Sequence, residues 1–103
     1  MEKHHFFLTL LPPRPTFTVD MTDDERRLMQ EHVVYMRALF EAGKAVVYGP
    51  VMAPGAPFGM GVLEVADEAE ARRIMDADPT VRAGLNRYEV HPMRVGAGRG
   101  VTP

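Results

Sequence analysis

Residues Glu31 to Pro50 read EHVVYMRALFEAGKAVVYGP, and the change of pattern within them decides the fold. Leu28, Met29, His32, Met36, Leu39 and Phe40 recur three and four apart, so they share one face of a helix. His32 therefore points inward among apolar side chains, where an imidazole needs a polar partner. Gly43 supplies the left-handed stop common at a helix C-terminus. Lys44 to Tyr48 then reads as a strand, and Gly49-Pro50 ends it by removing a side chain and then an amide donor.

Upstream, His4 to Leu11 (HHFFLTLL) reads as the first strand and is apolar on both faces, with Phe6, Leu8 and Leu10 on one and Phe7 and Leu11 on the other. Pro12 to Thr22 (PPRPTFTVDMT) is a proline-stiffened loop, long for so small a chain, and such loops tend to be functional or disordered. The anchors Phe17 and Met21 favour an ordered loop laid over the surface. Thr22 followed by Asp23, Asp24 and Glu25 is a helix start, with acids against the positive end of the dipole. The helix is expected over Asp23 to Ala42.

Downstream, Val51 to Pro57 is a loop by its proline and glycine content. Phe58 to Val65 (FGMGVLEV) reads as the third strand, where Gly59 and Gly61 share a face and leave room for a close approach. Asp67 with Glu70 forms a capping box for a second helix, whose stripe of Ala71, Ile74 and Met75 continues to Asp78. Pro79 bars the residue before it from helical geometry, so that helix is expected to end near Asp78. Asn86 to Val95 reads as the fourth strand.

The order β-α-β-β-α-β with right-handed crossovers predicts an α+β fold: a four-stranded antiparallel sheet with both helices on one face, the ferredoxin-like arrangement. The other face is then uncovered, yet Phe6-Phe7, Val46-Val47 and Val62-Leu63 are apolar on both sides. A second copy of the chain is the simplest cover. We therefore expect one domain over 1–95, a loose tail over 96–103 and a homodimer.

Composition narrows the function classes. The 103 residues fit one domain, and 46% hydrophobic content is that of a globular protein. Twelve basic against fourteen acidic side chains leave a formal charge of -2 and no dominant basic patch, which argues against nucleic acid as a partner. Zero cysteines exclude disulfides, thiolate metal sites and cysteine nucleophiles. The apolar run Phe6 to Leu11 is too short to span a membrane and lacks a small-residue cleavage site, so a soluble, cytoplasmic protein without membrane contact is expected.

One set of motifs goes further. His32 with Tyr35 on the helix, Gly43-Lys44, Gly49-Pro50, Asp78-Pro79 and Gly84-Leu85 occur in an order and spacing that resembles the YCII-related family. The leader LLPPRPTF before MTDDE resembles a long-loop branch of it. The resemblance covers about Phe6 to Met93. It implies a ferredoxin-like fold paired into a dimeric α/β barrel, and a histidine–aspartate pair in a cleft, which maps here to His32 and Asp78. One branch of the family looks like a lyase removing chloride from a chlorinated hydroxyquinol, and related barrels host muconolactone isomerases and monooxygenases. Fold alone does not choose among these.

Each candidate has a bland alternative. His32 is either a general base or a core histidine bonded to a structural acceptor. Asp78 either orients His32 or caps a short helix that begins at Pro79, and the two roles are compatible because a carboxylate has about four acceptor positions. Arg14, between prolines, is either a solvated arginine or a clamp for an anionic ligand, folded over the cleft. Tyr35 donates to a substrate or packs between helices. Gly49 completes the expected substrate contacts. His4 and His5 point to opposite faces of a strand and His91 lies on another, so no metal site is expected. The Gly59/Gly61 pair lacks the turn into a helix that a phosphate loop needs. The leading expectation is a cofactor-independent lyase or isomerase acting on a small anionic molecule. Its rival is a non-catalytic ligand-binding or interaction domain, and a third reading is a monooxygenase-like protein working without a metal.

Overall fold

Alternation along the first strand sets the centre of the sheet. In the computed structural model, which describes residues 3–101, β1 (His4–Leu11) is followed by α1 (Phe17–Asp20), α2 (Asp23–Glu41), β2 (Ala45–Val51) and β3 (Phe58–Val65). Then come α3 (Glu68–Asp76), α4 (Pro79–Arg82) and β4 (Arg87–Met93). The four strands lie in the order β2-β3-β1-β4, every neighbour antiparallel. This is the ferredoxin-like α+β arrangement expected from the element order.

Phe6, Leu8 and Leu10 of β1 are buried with Leu63 and Val65 of β3, Val90 of β4, and Ala71 and Met75 of α3. Leu39 of α2 and Ile74 of α3 pack against this cluster, so both long helices cover the same face of the sheet. The opposite face carries Phe7, Leu11 and Val62, which are only partly buried, and Val47, which is 48% exposed.

Several boundaries differ from the sequence reading for physical reasons. β2 runs on through Gly49 and Pro50 to Val51 instead of stopping at Tyr48, with Pro50 opposite Gly59. β4 likewise tolerates Pro92, opposite Phe6. Both are edge strands, where a missing amide hydrogen can face water instead of a ladder partner. The long loop holds a single helical turn, α1. Asp78 is not the last residue of α3 but the N-cap of α4, reached across Ala77. The capping box at α3 closes one residue early: Asp67 accepts from the Glu70 amide at 2.8 Å, while Glu70 accepts from the Ala66 amide at 2.9 Å. α2 has the full reciprocal box, between Thr22 and Glu25.

Gly61 and Gly59 face Leu8 and Leu10 across the ladder, and a β-carbon on Gly61 would meet the Leu8 side chain at 3.2 Å. The room these glycines leave is thus filled from the neighbouring strand. Beyond Met93 the chain has neither helix nor strand as far as Val101, and Thr102 and Pro103 of the expected tail lie outside the described residues. Among the described residues no helix is long and apolar enough to cross a membrane.

Candidate functional site

The amphipathic face of α2 does not lie flush on the sheet. Between its N-terminal half, the proline loop and the ends of β2 and β3 is a cavity of about 240 Å³. Leu8, Leu10, Phe17 and Met36 make part of a largely apolar wall whose polar members are Thr18, His32, Tyr48 and Asn86. Lysine, arginine, aspartate and glutamate are all missing from the described residues that line it. His32 is the one wall group that can become cationic.

His32 Nδ1 lies 2.6 Å from Asp78 Oδ2. The histidine side chain is 16% exposed and the aspartate 0%. The carboxylate can only accept, so Nδ1 carries the proton and the neutral ring keeps its lone pair on Nε2. No described residue hydrogen-bonds to Nε2. Asp78 is fixed from its other oxygen: Oδ1 accepts from the Thr80 amide at 2.8 Å and the Thr80 hydroxyl at 2.7 Å. Burial by itself would push the Asp78 carboxyl up, but the bonds from His32 and from Thr80 together outweigh it and hold the group below its ordinary value. The capping and the histidine-orienting readings of Asp78 are both geometrically satisfied, one on each oxygen.

The other expected contacts separate. Gly49 lines the cavity. Tyr35 does not: its hydroxyl donates to the Ile74 carbonyl at 2.6 Å and pins α2 to α3. Burial and the nearby Asp78 carboxylate push this hydroxyl up, so it stays a neutral donor. Arg14 is also absent from the wall. Its Nε donates to Asp20 at 2.8 Å, and its two terminal nitrogens donate to Glu25 at 2.9 and 2.7 Å. The guanidinium also lies 5.4 Å over the Phe17 ring. With every edge of the fork engaged, Arg14 has no free bidentate face for a ligand. It fastens the loop, and the loop forms the wall through Pro12, Phe17 and Thr18.

That fastening is sensitive to acid. Arg14, and then the Thr22 amide, hold the Glu25 carboxyl down at about 2 from an ordinary 4.5. A depressed carboxyl stabilises the fold fully above its ordinary value and loses that contribution as pH falls through the lowered one. Opening of the loop is therefore expected between those two values. At neutral pH, Arg14→Ala is expected to mimic it, seen as rapid chymotryptic cleavage after Phe17 that the parent chain resists. Equal resistance of the two proteins would show that the loop holds without Arg14.

Asn86, just ahead of β4, was not singled out by sequence. It is 6% exposed, and its Nδ2 donates to Met29 Sδ at 3.3 Å. By sequence it is only the first residue of the expected fourth strand, which in the structure starts one residue later, and no local signal marks it as part of a site. Among the described residues no three His, Asp or Glu side chains converge as a metal set.

A family model for the YCII-related domain matches residues 5–94. Comparison with curated proteins gives no match. Among solved structures, the chain resembles 5-chloro-2-hydroxyhydroquinone dehydrochlorinase from Burkholderia phenoliruptrix, in complex with 2,5-dihydroxybenzoquinone, at 22% identity and a TM-score of 0.63, covering 92% of this chain and 97% of that one. An uncharacterised protein from Thermotoga maritima matches at 11% identity and a TM-score of 0.54, covering 90% of this chain and 100% of that one. At these identities the structural likeness speaks for the fold.

Proposed function

The chain belongs to the YCII-related domain family, and on that premise we propose that it is a cofactor-independent lyase or isomerase that moves a proton on a small ring-shaped substrate held beside His32. The observation that carries this reading is an imidazole fixed through Nδ1 at 2.6 Å by a buried carboxylate, with Nε2 unpartnered at the wall of an apolar cavity. In the first step Nε2 takes a proton from a carbon or hydroxyl of the substrate, and Asp78 stabilises the imidazolium that forms. In a lyase, the electron pair left behind forms a new double bond as a leaving group departs with its own pair. In an isomerase, His32 returns the proton to a different atom. Both outcomes are redox neutral.

The wall also limits the charge of the substrate. With Arg14 engaged in the loop, an anion in the cavity meets no lysine or arginine among the described wall residues, only the ring of His32. A single, delocalised negative charge suits such a site, because an unpaired buried charge is costly. The chemistry named for the Burkholderia neighbour makes 5-chloro-2-hydroxyhydroquinone the first compound to try. Chloride release, followed with an ion-selective electrode and dependent on His32, is the expected result.

The capping of α4 by Asp78 favours a second reading, a ligand-binding domain of the same fold in which the pair only satisfies buried polarity. Binding of the ring compound without chloride release or isomerisation would select it.

The same family fold and the apolar side chains of Phe7, Leu11, Val47 and Val62 on the outer sheet face support a homodimer closed sheet against sheet. Light scattering at micromolar concentration is expected to report about twice the 11.5 kDa chain mass. A monomer that persists at that concentration would leave Phe7, Leu11 and Val62 without the cover we assign them.

A further inference from the structure

The wall of the cavity holds a buried amide that the proton-transfer reading does not use. Asn86 Oδ1 is the one buried side-chain nitrogen or oxygen among the described residues that has no hydrogen-bond partner. A thioether accepts and does not donate, so the contact with Met29 Sδ fixes which way the amide faces: nitrogen toward Met29, oxygen away. Buried acceptors in native proteins are almost always met, and leaving one unmet lowers stability. Leucine would fill the same volume without that cost. An asparagine kept here in an apolar wall suits a partner that arrives from outside.

Its placement supports the same view. The Asn86 amide donates to the Thr80 carbonyl at 3.1 Å, and Thr80 is the residue whose amide and hydroxyl hold Asp78. One short turn thus sets the positions of both Asp78 and Asn86. The neighbour that shields the Asn86 amide is Met29, an unbranched side chain that repacks easily and offers only a weak acceptor. A side chain that moves so readily leaves room for a ligand to reach the asparagine.

We propose that Asn86 is a ligand-recognising residue of this cavity, accepting a hydrogen bond from a hydroxyl on a small, otherwise apolar ring. An apolar cavity of about 150 Å³ is enough for benzene, so about 240 Å³ leaves space for a substituted ring. The proposal rests on the cavity being the ligand site argued above. It adds that the ligand is gripped at two points, a proton exchanged with His32 and a hydroxyl donated to Asn86.

Phenol and toluene, rings of nearly the same size with and without the donor, are the probes. Their affinities are read from methionine methyl and Asn86 side-chain amide resonances of the full chain. In the parent protein phenol, and not toluene, is expected to shift the Asn86 amide signals. The ratio of phenol to toluene affinity is expected to fall about tenfold in Asn86→Leu and in the smaller Asn86→Ala, a change of about 1.4 kcal/mol. Asn86→Asp keeps an acceptor and is expected to keep the preference. A merely structural asparagine would weaken both probes together and leave the ratio alone. An unchanged ratio in the folded variants, an Asn86 signal indifferent to phenol, or failure of both probes to bind would overturn the proposal. His32→Asn separates the two readings. If that variant keeps full turnover while the ratio still depends on Asn86, the proton-transfer reading fails and this one stands.

Discussion

His32→Asn is expected to lower turnover about a hundredfold or more while the chain stays folded, which is the usual scale for removing a general base. Asparagine can still donate to Asp78 in place of Nδ1, so the buried carboxylate keeps a partner. What disappears is Nε2, the atom at the cavity that takes the proton. The comparison of rate and melting temperature is informative because the two should move apart. A rate within a few-fold of the parent, measured as chloride release from 5-chloro-2-hydroxyhydroquinone, would remove His32 from the chemistry. A collapse of the fold would instead make the pair structural.

Asp78→Ala is expected to act on stability, with a loss of about 3–5 kcal/mol in urea unfolding. The α4 cap is worth about 1 kcal/mol, and each buried donor left without its acceptor costs about 1–3 kcal/mol. The stranded donors are the Thr80 amide, the Thr80 hydroxyl and His32 Nδ1. Asp78→Asn divides the two roles. Its carbonyl oxygen can still cap α4, but its amide presents a hydrogen to Nδ1, which forces the proton of the neutral ring onto Nε2. Turnover should fall by a similar hundredfold with much less lost stability.

The two Asp78 variants also differ from the parent in acid. The Asp78 carboxyl is held below its ordinary value of 3.8, so its contribution is complete above that value and is lost as pH falls through the lower folded one. Urea titrations at about pH 5 and about pH 3 should show that acid-side loss in the parent, and a smaller one in Asp78→Asn. Equal losses would mean that other carboxylates dominate the acid limb.

Some of this was legible in the chain and some was not. The inward position of His32 follows from its spacing with Met29 and Met36, because a helix of that amphipathicity has one way to lie on a sheet. Asp78 was legible as a residue and, through the proline after it, as the cap of a short helix at Pro79; only the stripe that ran the preceding helix on to Asp78 is superseded. Pattern reading extends a stripe through Ala77, whereas proline geometry and the Thr80 donors turn Asp78 into the cap of a new helix. Arg14 illustrates a different limit. Its exposed, proline-flanked setting suits a clamp, but Asp20 and Glu25, six and eleven residues away, come into reach only when α1 forms. Tyr35 was lost to a long-range partner, the Ile74 carbonyl, that no local pattern encodes. Asn86 enters the site because β4 begins beside the turn at Thr80, and that is a fact of tertiary packing.

The prolines on both edge strands restrict how copies of this chain can meet. An unpaired edge is a template on which another strand can add, and repeated addition leads toward fibrils. Pro50 on β2 and Pro92 on β4 each interrupt the row of donors such growth needs. Strand addition is blocked at both ends of the sheet, in the finished fold and in any late intermediate that already has its four strands. Changing Pro92, which does not line the cavity, to valine should leave the cavity intact while giving concentrated protein a tendency to bind amyloid dyes that the parent chain lacks.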